Sequence, residues 1–269
     1  QLYTSGTFIY ESAFYVNANK SAYFNFQATQ VIGTTWAMNC NMNGGIISID
    51  DGVTTDLAVG NYSDDTWFTL RIEANLSTGR WQSWIDGVCI GVWNNGVNTL
   101  ASLDLYPTTN GEFYVDDVMF DHAAYSASAL NATVSGFNIG GNISGLNVLP
   151  RVTVANAGTT AITDFDVTVD YNGTPYVENV TAVNLTAGQS MEIVFTTPIL
   201  LVAGSNNSTA TVSNVNGGND DDPSDDDACA VIDPVVPAPG KVVVGEEGTG
   251  TWCGWCPRGT VFMDRYEVE

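Results

Sequence analysis

The sequence predicts an all-β chain: two antiparallel sandwiches in succession, then the opening strand and helix of a further unit. Three observations carry this. Apolar and polar residues alternate in short runs from the N-terminus to about residue 232, without the three-to-four spacing of a helix. Asp86-Gly87 and Asn172-Gly173 fall between such runs, and these pairs are the strongest short-range hairpin signals. Val, Ile, Thr and aromatic residues fill the runs, while Gly, Asn and Asp fill the gaps between them.

Composition bounds the rest. A chain of 269 residues can bury two cores. Seven Lys plus Arg against 30 Asp plus Glu leave a formal charge of -23. The cations Lys20, Arg71, Arg80, Arg151, Lys241, Arg258 and Arg265 are scattered singly, so no basic groove exists for phosphates, and nucleic acid is excluded as a partner. No stretch nears the roughly 18 consecutive apolar residues of a membrane helix, so membrane insertion is not expected. Low Lys, abundant Asn, Thr and Gly, and the cysteine usage point to a secreted, extracellular or cell-surface protein whose leader has been removed.

In residues 1–122 the segments 22–27, 45–50, 67–73, 80–85, 88–93 and 113–120 read as strands of a jelly-roll sandwich. Cys40 and Cys89 are the only cysteines there and are disulfide candidates; closing about 50 residues would be worth roughly 4 kcal/mol on the chain-entropy model. The alternative is two buried thiols. Trp36, Trp67, Trp81, Trp84 and Trp93 are glycan-stacking candidates, with core packing as the competing reading. Trp81 and Trp84 are three apart, so on one strand they face opposite sides and only one need be buried. Glycan hydrolysis would require two carboxylates about 5 to 9.5 Å apart. Glu73, Glu112 and Asp116 stand apart in the sequence, so hydrolysis is not expected. His122 is the only histidine, so Ser-His-Asp and Cys-His catalysis would both depend on that one residue at the exit of the last strand of this unit, and a His-based zinc site lacks ligands.

Residues 64–73, 84–88 and 113–118 together resemble the concanavalin A-like, laminin-G-like sandwiches of extracellular lectins and glycanases, in which a strand, a hairpin strand carrying Ile-Asp-Gly and a closing strand follow in this order. That resemblance implies roles from sugar binding to adhesion. Because Gln1 runs almost directly into a strand, the first strands of such a unit are expected upstream.

Residues 123–235 form the second unit. Segments 149–158, 165–171, 175–180, 190–195 and 208–213 alternate cleanly, with Asn172-Gly173 and Ala187-Gly188 as hairpin turns, and this spacing predicts an immunoglobulin-like sandwich. The stretches 156–160 and 185–189 are similar to the cell-adhesion-type Ig-like domains of bacterial surface proteins, which space and present other domains. Between its last strands lie Asp220, Asp221, Asp222, Asp225, Asp226 and Asp227. Their mutual repulsion would be relieved by Ca²⁺, the one cofactor the sequence suggests, although the spacing is not that of an EF-hand loop and a solvated hairpin is the plain alternative. A Ca²⁺ affinity no tighter than about millimolar is expected. Cys229, next to this run, has no evident partner.

Residues 236–269 open with a stiff Pro-rich linker. A short apolar strand at 241–244 leads to Trp252-Cys-Gly-Trp-Cys-Pro-Arg-Gly259 and a helix after Pro257. A helix N-terminus lowers the pKa of a cysteine placed there, making Cys253 the nucleophile and Cys256 the resolving thiol of a redox pair. The segment resembles the thioredoxin-like domains near the C-terminal end of secreted and outer-membrane Bacteroidota proteins, and the chain is expected to stop short of a complete thioredoxin fold; a C-terminal sorting domain like those of type IX secretion, beyond Glu269, would establish surface location. These readings lead to a non-catalytic surface protein for display, adhesion or glycan contact, with extracellular polysaccharide or protein as partner. The alternatives are a thiol-disulfide oxidoreductase in the full-length protein, and a structural filament component that self-associates through sheet edges.

Overall fold

The computed structural model describes residues 1–126 and 128–239, and every regular element among them is a strand. The first ten are β1 (Thr7–Val16), β2 (Ser21–Gln27), β3 (Trp36–Asn43), β4 (Ile46–Asp50), β5 (Ala58–Asn61), β6 (Trp67–Asn75), β7 (Arg80–Ile85), β8 (Val88–Asn94), β9 (Ser102–Leu105) and β10 (Phe113–Ala123). They form two antiparallel five-stranded sheets, ordered β10-β1-β6-β7-β8 and β5-β4-β3-β2-β9. Alternation sends Tyr10, Phe14, Phe24, Met38, Cys40, Met42, Ile47, Ile49, Leu70, Ile72 and Trp81 between the sheets, where they make one core. The β7–β8 turn has Asp86 at φ 49° and Gly87 at φ 77°, the two positive angles of a type I′ hairpin.

Nine further strands follow: β11 (Ala132–Asn138), β12 (Asn147–Val148), β13 (Arg151–Asn156), β14 (Phe165–Tyr171), β15 (Thr174–Val180), β16 (Ser190–Val194), β17 (Ile199–Leu200), β18 (Asn206–Ser213) and β19 (Asp227–Ile232). Sheets β11-β13-β16 and β15-β14-β18-β19 enclose a second core around Phe165, Val152, Val167, Val169 and Phe195. Asn172-Gly173 makes the β14–β15 hairpin, again with both φ positive. Ala187-Gly188, expected to be a hairpin turn, instead leads into β16, which pairs with β13 and not with β15. The expected redox pair Cys253 and Cys256, and the strand and helix around it, lie outside the described residues. No helix among the described residues is long and apolar enough to cross a membrane.

The two sandwiches meet through β8, which packs against β11 and β19. A bulge makes that possible. Ser83 pairs with Gly91 and Trp84 with Cys89, so Ile90 is the extra residue on β8. Ile90 and Trp93 then belong to the first core, whereas Cys89 and Val92 reach the second. Cys89 is joined to Cys229 across this junction, with Cα atoms 6.1 Å apart. The candidate pair Cys40 and Cys89 is thereby corrected: Cys40 points to the interior of the first sandwich and is a fully buried free thiol, its pKa raised by burial. Arg80 crosses the same junction, 5% exposed, donating from Nε to the Val134 carbonyl at 3.0 Å and from Nη2 to the Asp227 carbonyl at 2.6 Å. Burial lowers its pKa, and the nearby carboxylates of Asp225 and Asp227 oppose that shift.

Candidate functional sites: an aromatic outer face and an acidic loop

Strand register determines what the solvent side of the β10-β1-β6-β7-β8 sheet displays. Residues at alternate positions of β1 point outward, and each stands beside its partners on β10 and β6. Tyr15 lies opposite Tyr114 on β10 and Trp67 on β6, with ring centroids 5.9 and 5.6 Å apart. Trp67 and Tyr114 are 49% and 55% exposed, so this row of three rings is open to solvent. Two residues along β1, Ala13 lies beside Thr69, and both side chains are small. Two residues further, Glu11 lies beside Arg71, and Arg71 beside Trp84. The Arg71 guanidinium sits 5.4 Å from the Trp84 ring centroid and pairs with Glu73 at 3.1 Å and Glu11 at 3.8 Å. At about 3.4 Å per residue, the aromatic and charged rows stand roughly 14 Å apart. The face is therefore a shallow trough with an Ala13–Thr69 floor.

Among the glycan-stacking candidates, Trp67 and Trp84 belong to this face. Trp36 is 40% exposed but lies at the start of β3 in the opposite sheet. Trp81 and Trp93 are corrected. Both are buried, 6.1 Å apart, with their indole N–H groups donating to Asn98 and Asn95, and an enclosed ring cannot stack on a sugar from solvent. Tyr15 and Tyr114 were not anticipated. Tyr15 stands on a strand that the alternating segments had not singled out, and its partnership with Trp67 spans 52 positions, which only pairing reveals. The other carboxylates considered for hydrolysis have local duties: Glu112 pairs with Lys20 at 3.3 Å, and Asp116 flanks the bulge opposite Ala13. His122 hydrogen-bonds the Ser5 carbonyl through Nε2 and packs on Tyr3. A separate apolar cleft of about 390 Å³ opens between the sheets, lined by Tyr3, Phe8, Phe26, Leu100 and Phe120.

The acidic loop is drawn onto the start of β11. Asp220 Oδ2 accepts from the Ala132 N–H at 2.7 Å, and Oδ1 from the Asp222 N–H at 2.9 Å. Asp221 Oδ2 accepts from the Leu130 N–H, and the Asp221 N–H returns a bond to the Leu130 carbonyl. Asp222 accepts from Ser224, and the Asp225 carbonyl accepts from the Val134 N–H and the Thr133 hydroxyl. Burial pushes the Asp225 carboxyl up to about 7, opposed by Arg80, reinforced by Asp222 and Asp220, and opposed by the side-chain amide of Asn131 beside it. Burial and contact with Asp220 raise Asp226 to about 8. Asp227 takes part through its carbonyl, which Arg80 holds. Among the described residues no three His, Cys, Asp or Glu side chains close into a metal cage.

No protein-family model matches the chain, and no curated protein matches it in sequence. Solved structures share the sandwich architecture at low similarity. The CARDB domain of a Pyrococcus furiosus protein, solved in complex with di-metal ions, is 21% identical with a TM-score of 0.34, covering 43% of this chain and 95% of that one. Sheep galectin-11, solved with glycerol, is 12% identical with a TM-score of 0.32, covering 45% of this chain and 96% of that one. A human galectin-16 variant is 13% identical with a TM-score of 0.34, covering 45% of this chain and 91% of that one.

Proposed function

We propose that this is an extracellular or cell-surface protein that contacts glycans without cleaving them, through the outer face of its first sandwich. The observation that carries the reading is the solvent-open row Tyr114–Tyr15–Trp67 beside Arg71, Glu11 and Glu73. Aromatic planes offer large, rigid contact area to the apolar face of a sugar, and the charged row supplies donors and acceptors for hydroxyls. A shallow, open trough suits an extended polysaccharide and implies weak binding. The Cys89–Cys229 bridge favours an oxidising compartment, in keeping with export. The second sandwich then acts as a spacer that presents this face.

The test is affinity electrophoresis and calorimetry against a panel of soluble polysaccharides. Retardation by at least one, reduced about tenfold (~1.4 kcal/mol) in Trp67→Ala, is expected, with no release of reducing sugar. No retardation by any member of the panel removes the glycan reading, and hydrolysis overturns the non-catalytic one. The oxidoreductase reading rests on the Cys253–Cys256 motif alone. Insulin reduction by the full-length protein would establish it.

A further inference from the structure

We propose that the loop between β18 and β19 binds one Ca²⁺ ion between the carboxylates of Asp220 and Asp226, with the side-chain oxygen of Asn131 and water completing the shell. An acidic run alone would not carry this. Asn131 does, because it comes from the distant start of the same sandwich, is only 4% exposed, and leaves its Oδ1 buried without a partner. Its amide lies at the Asp225 carboxyl, and the N–H groups of its neighbours Leu130 and Ala132 grip Asp221 and Asp220, so the orphaned oxygen is held at the loop.

Two more orphans share the same surroundings. Asp225 is 7% exposed, and its Oδ1, like that of Asp226, is buried without a hydrogen-bond partner among the described residues. All three orphaned atoms are acceptors. Leaving such groups unpaired in a folded interior costs about 1–3 kcal/mol each, more when charged. What they lack is positive charge or protons, and the protein supplies little. Among the described residues Arg80 is the one cation beside the loop, and its bonds go to the carbonyls of Val134 and Asp227, leaving it outside every ion pair there. Asp220 is meanwhile fixed by two backbone N–H groups, one on each carboxyl oxygen.

The ligand set selects the ion. Carboxylate and amide oxygens, without nitrogen or sulfur, suit a hard cation. The two-carboxylate core, extended by an amide and water, matches the irregular six- to eight-fold coordination of Ca²⁺ better than the rigid octahedron of Mg²⁺. Few charges and partial solvent access place the affinity with extracellular modules, at about 10⁻⁴ to 10⁻³ M. This inference is independent of the glycan face.

Thermal unfolding in EDTA is compared with unfolding in about 5 mM Ca²⁺ or Mg²⁺, and Tb³⁺ luminescence excited through Tyr125, which neighbours Asp222 and Asp225, reports occupancy directly. At about ten times the dissociation constant, Ca²⁺ should raise the midpoint by about 3 to 6 °C and Mg²⁺ by less. Asp226→Asn and Asn131→Ala should each weaken Ca²⁺ and Tb³⁺ binding at least about tenfold. Asp226→Asn keeps the shape and can donate to Asp220, so it should fold and report even if Asn131→Ala does not. Identical midpoints in EDTA and Ca²⁺, or a Ca²⁺ response undiminished in Asp226→Asn, would overturn the site in favour of a proton shared between Asp220 and Asp226.

Discussion

Asp225 and Asp226 show how a single side chain can be legible in type and illegible in state. Both are raised above the ordinary carboxylate range, chiefly by burial, with Asp220 and Asp222 adding repulsion and Arg80 and Asn131 opposing it at Asp225. Folding therefore holds protons that the unfolded chain has released above about pH 4. The stability they contribute is complete below about pH 4 and is lost as pH rises through their folded values near 7 and 8. In EDTA the thermal midpoint should consequently fall between pH 5 and pH 8, and Asp226→Asn, which cannot ionise, should flatten that slope. A midpoint rising over the interval in EDTA would mean that these carboxyls are ionised and better paired than their surroundings suggest.

Among the elements, β8 organises the most, and it does so through one irregularity. Under strict alternation Cys89, Gly91 and Trp93 would share a face. The bulge at Ile90 separates them, sending Trp93 into the first core and Cys89 toward the second sandwich. Gly91 makes the bulge possible at close quarters: a Cβ there would lie 2.6 Å from the Ala58 Cβ and 2.9 Å from its Cα, so no rotamer can relieve the clash. Gly91→Ala should destabilise by about 1–3 kcal/mol, as overpacking does, read as a lower denaturant midpoint with unchanged slope. Gly87→Ala is a useful contrast, because there the strain lies only in a positive φ within open space. The free edge of β10 also departs from regularity. Its register shifts opposite Ser12, and Asp116, Asp117 and Asp121 stand on it, the devices by which exposed edges resist pairing with another chain.

At the scale of the molecule, the Cys89–Cys229 bridge spans 140 positions and ties two separately cored sandwiches together. A loop of that length corresponds to about 5 kcal/mol of unfolded-state entropy on the chain-entropy model. Reduction, or the Cys89→Ala/Cys229→Ala pair, should lower the unfolding midpoint, and peptide mapping under denaturing, non-reducing conditions should recover the two cysteines linked. Cys40 should react with iodoacetamide only once the first sandwich unfolds. A Cys40–Cys89 peptide would refute the pairing. Arg80 gives the junction a second, polar tie, so the sandwiches should stay docked after reduction under native conditions.

Local chemistry determined much of this from the sequence alone. Period-two alternation placed β6, β14 and most of β18, because half-buried strands must alternate, and Asp86-Gly87 and Asn172-Gly173 announced their hairpins through positive φ. The acidic run was visible as charge. Strand β3, Trp-Ala-Met-Asn-Cys-Asn-Met-Asn, was not, since Asn and Met carry little strand preference and only pairing with β2 and β4 makes it a strand. Tertiary structure alone decided which tryptophans are core, which cysteines join, that Tyr15 stands between Tyr114 and Trp67, and that Asn131 meets Asp225. Each of these depends on contacts between residues far apart in the chain, or on a bulge that shifts alternation by one, and neither leaves a local signature in the order of residues.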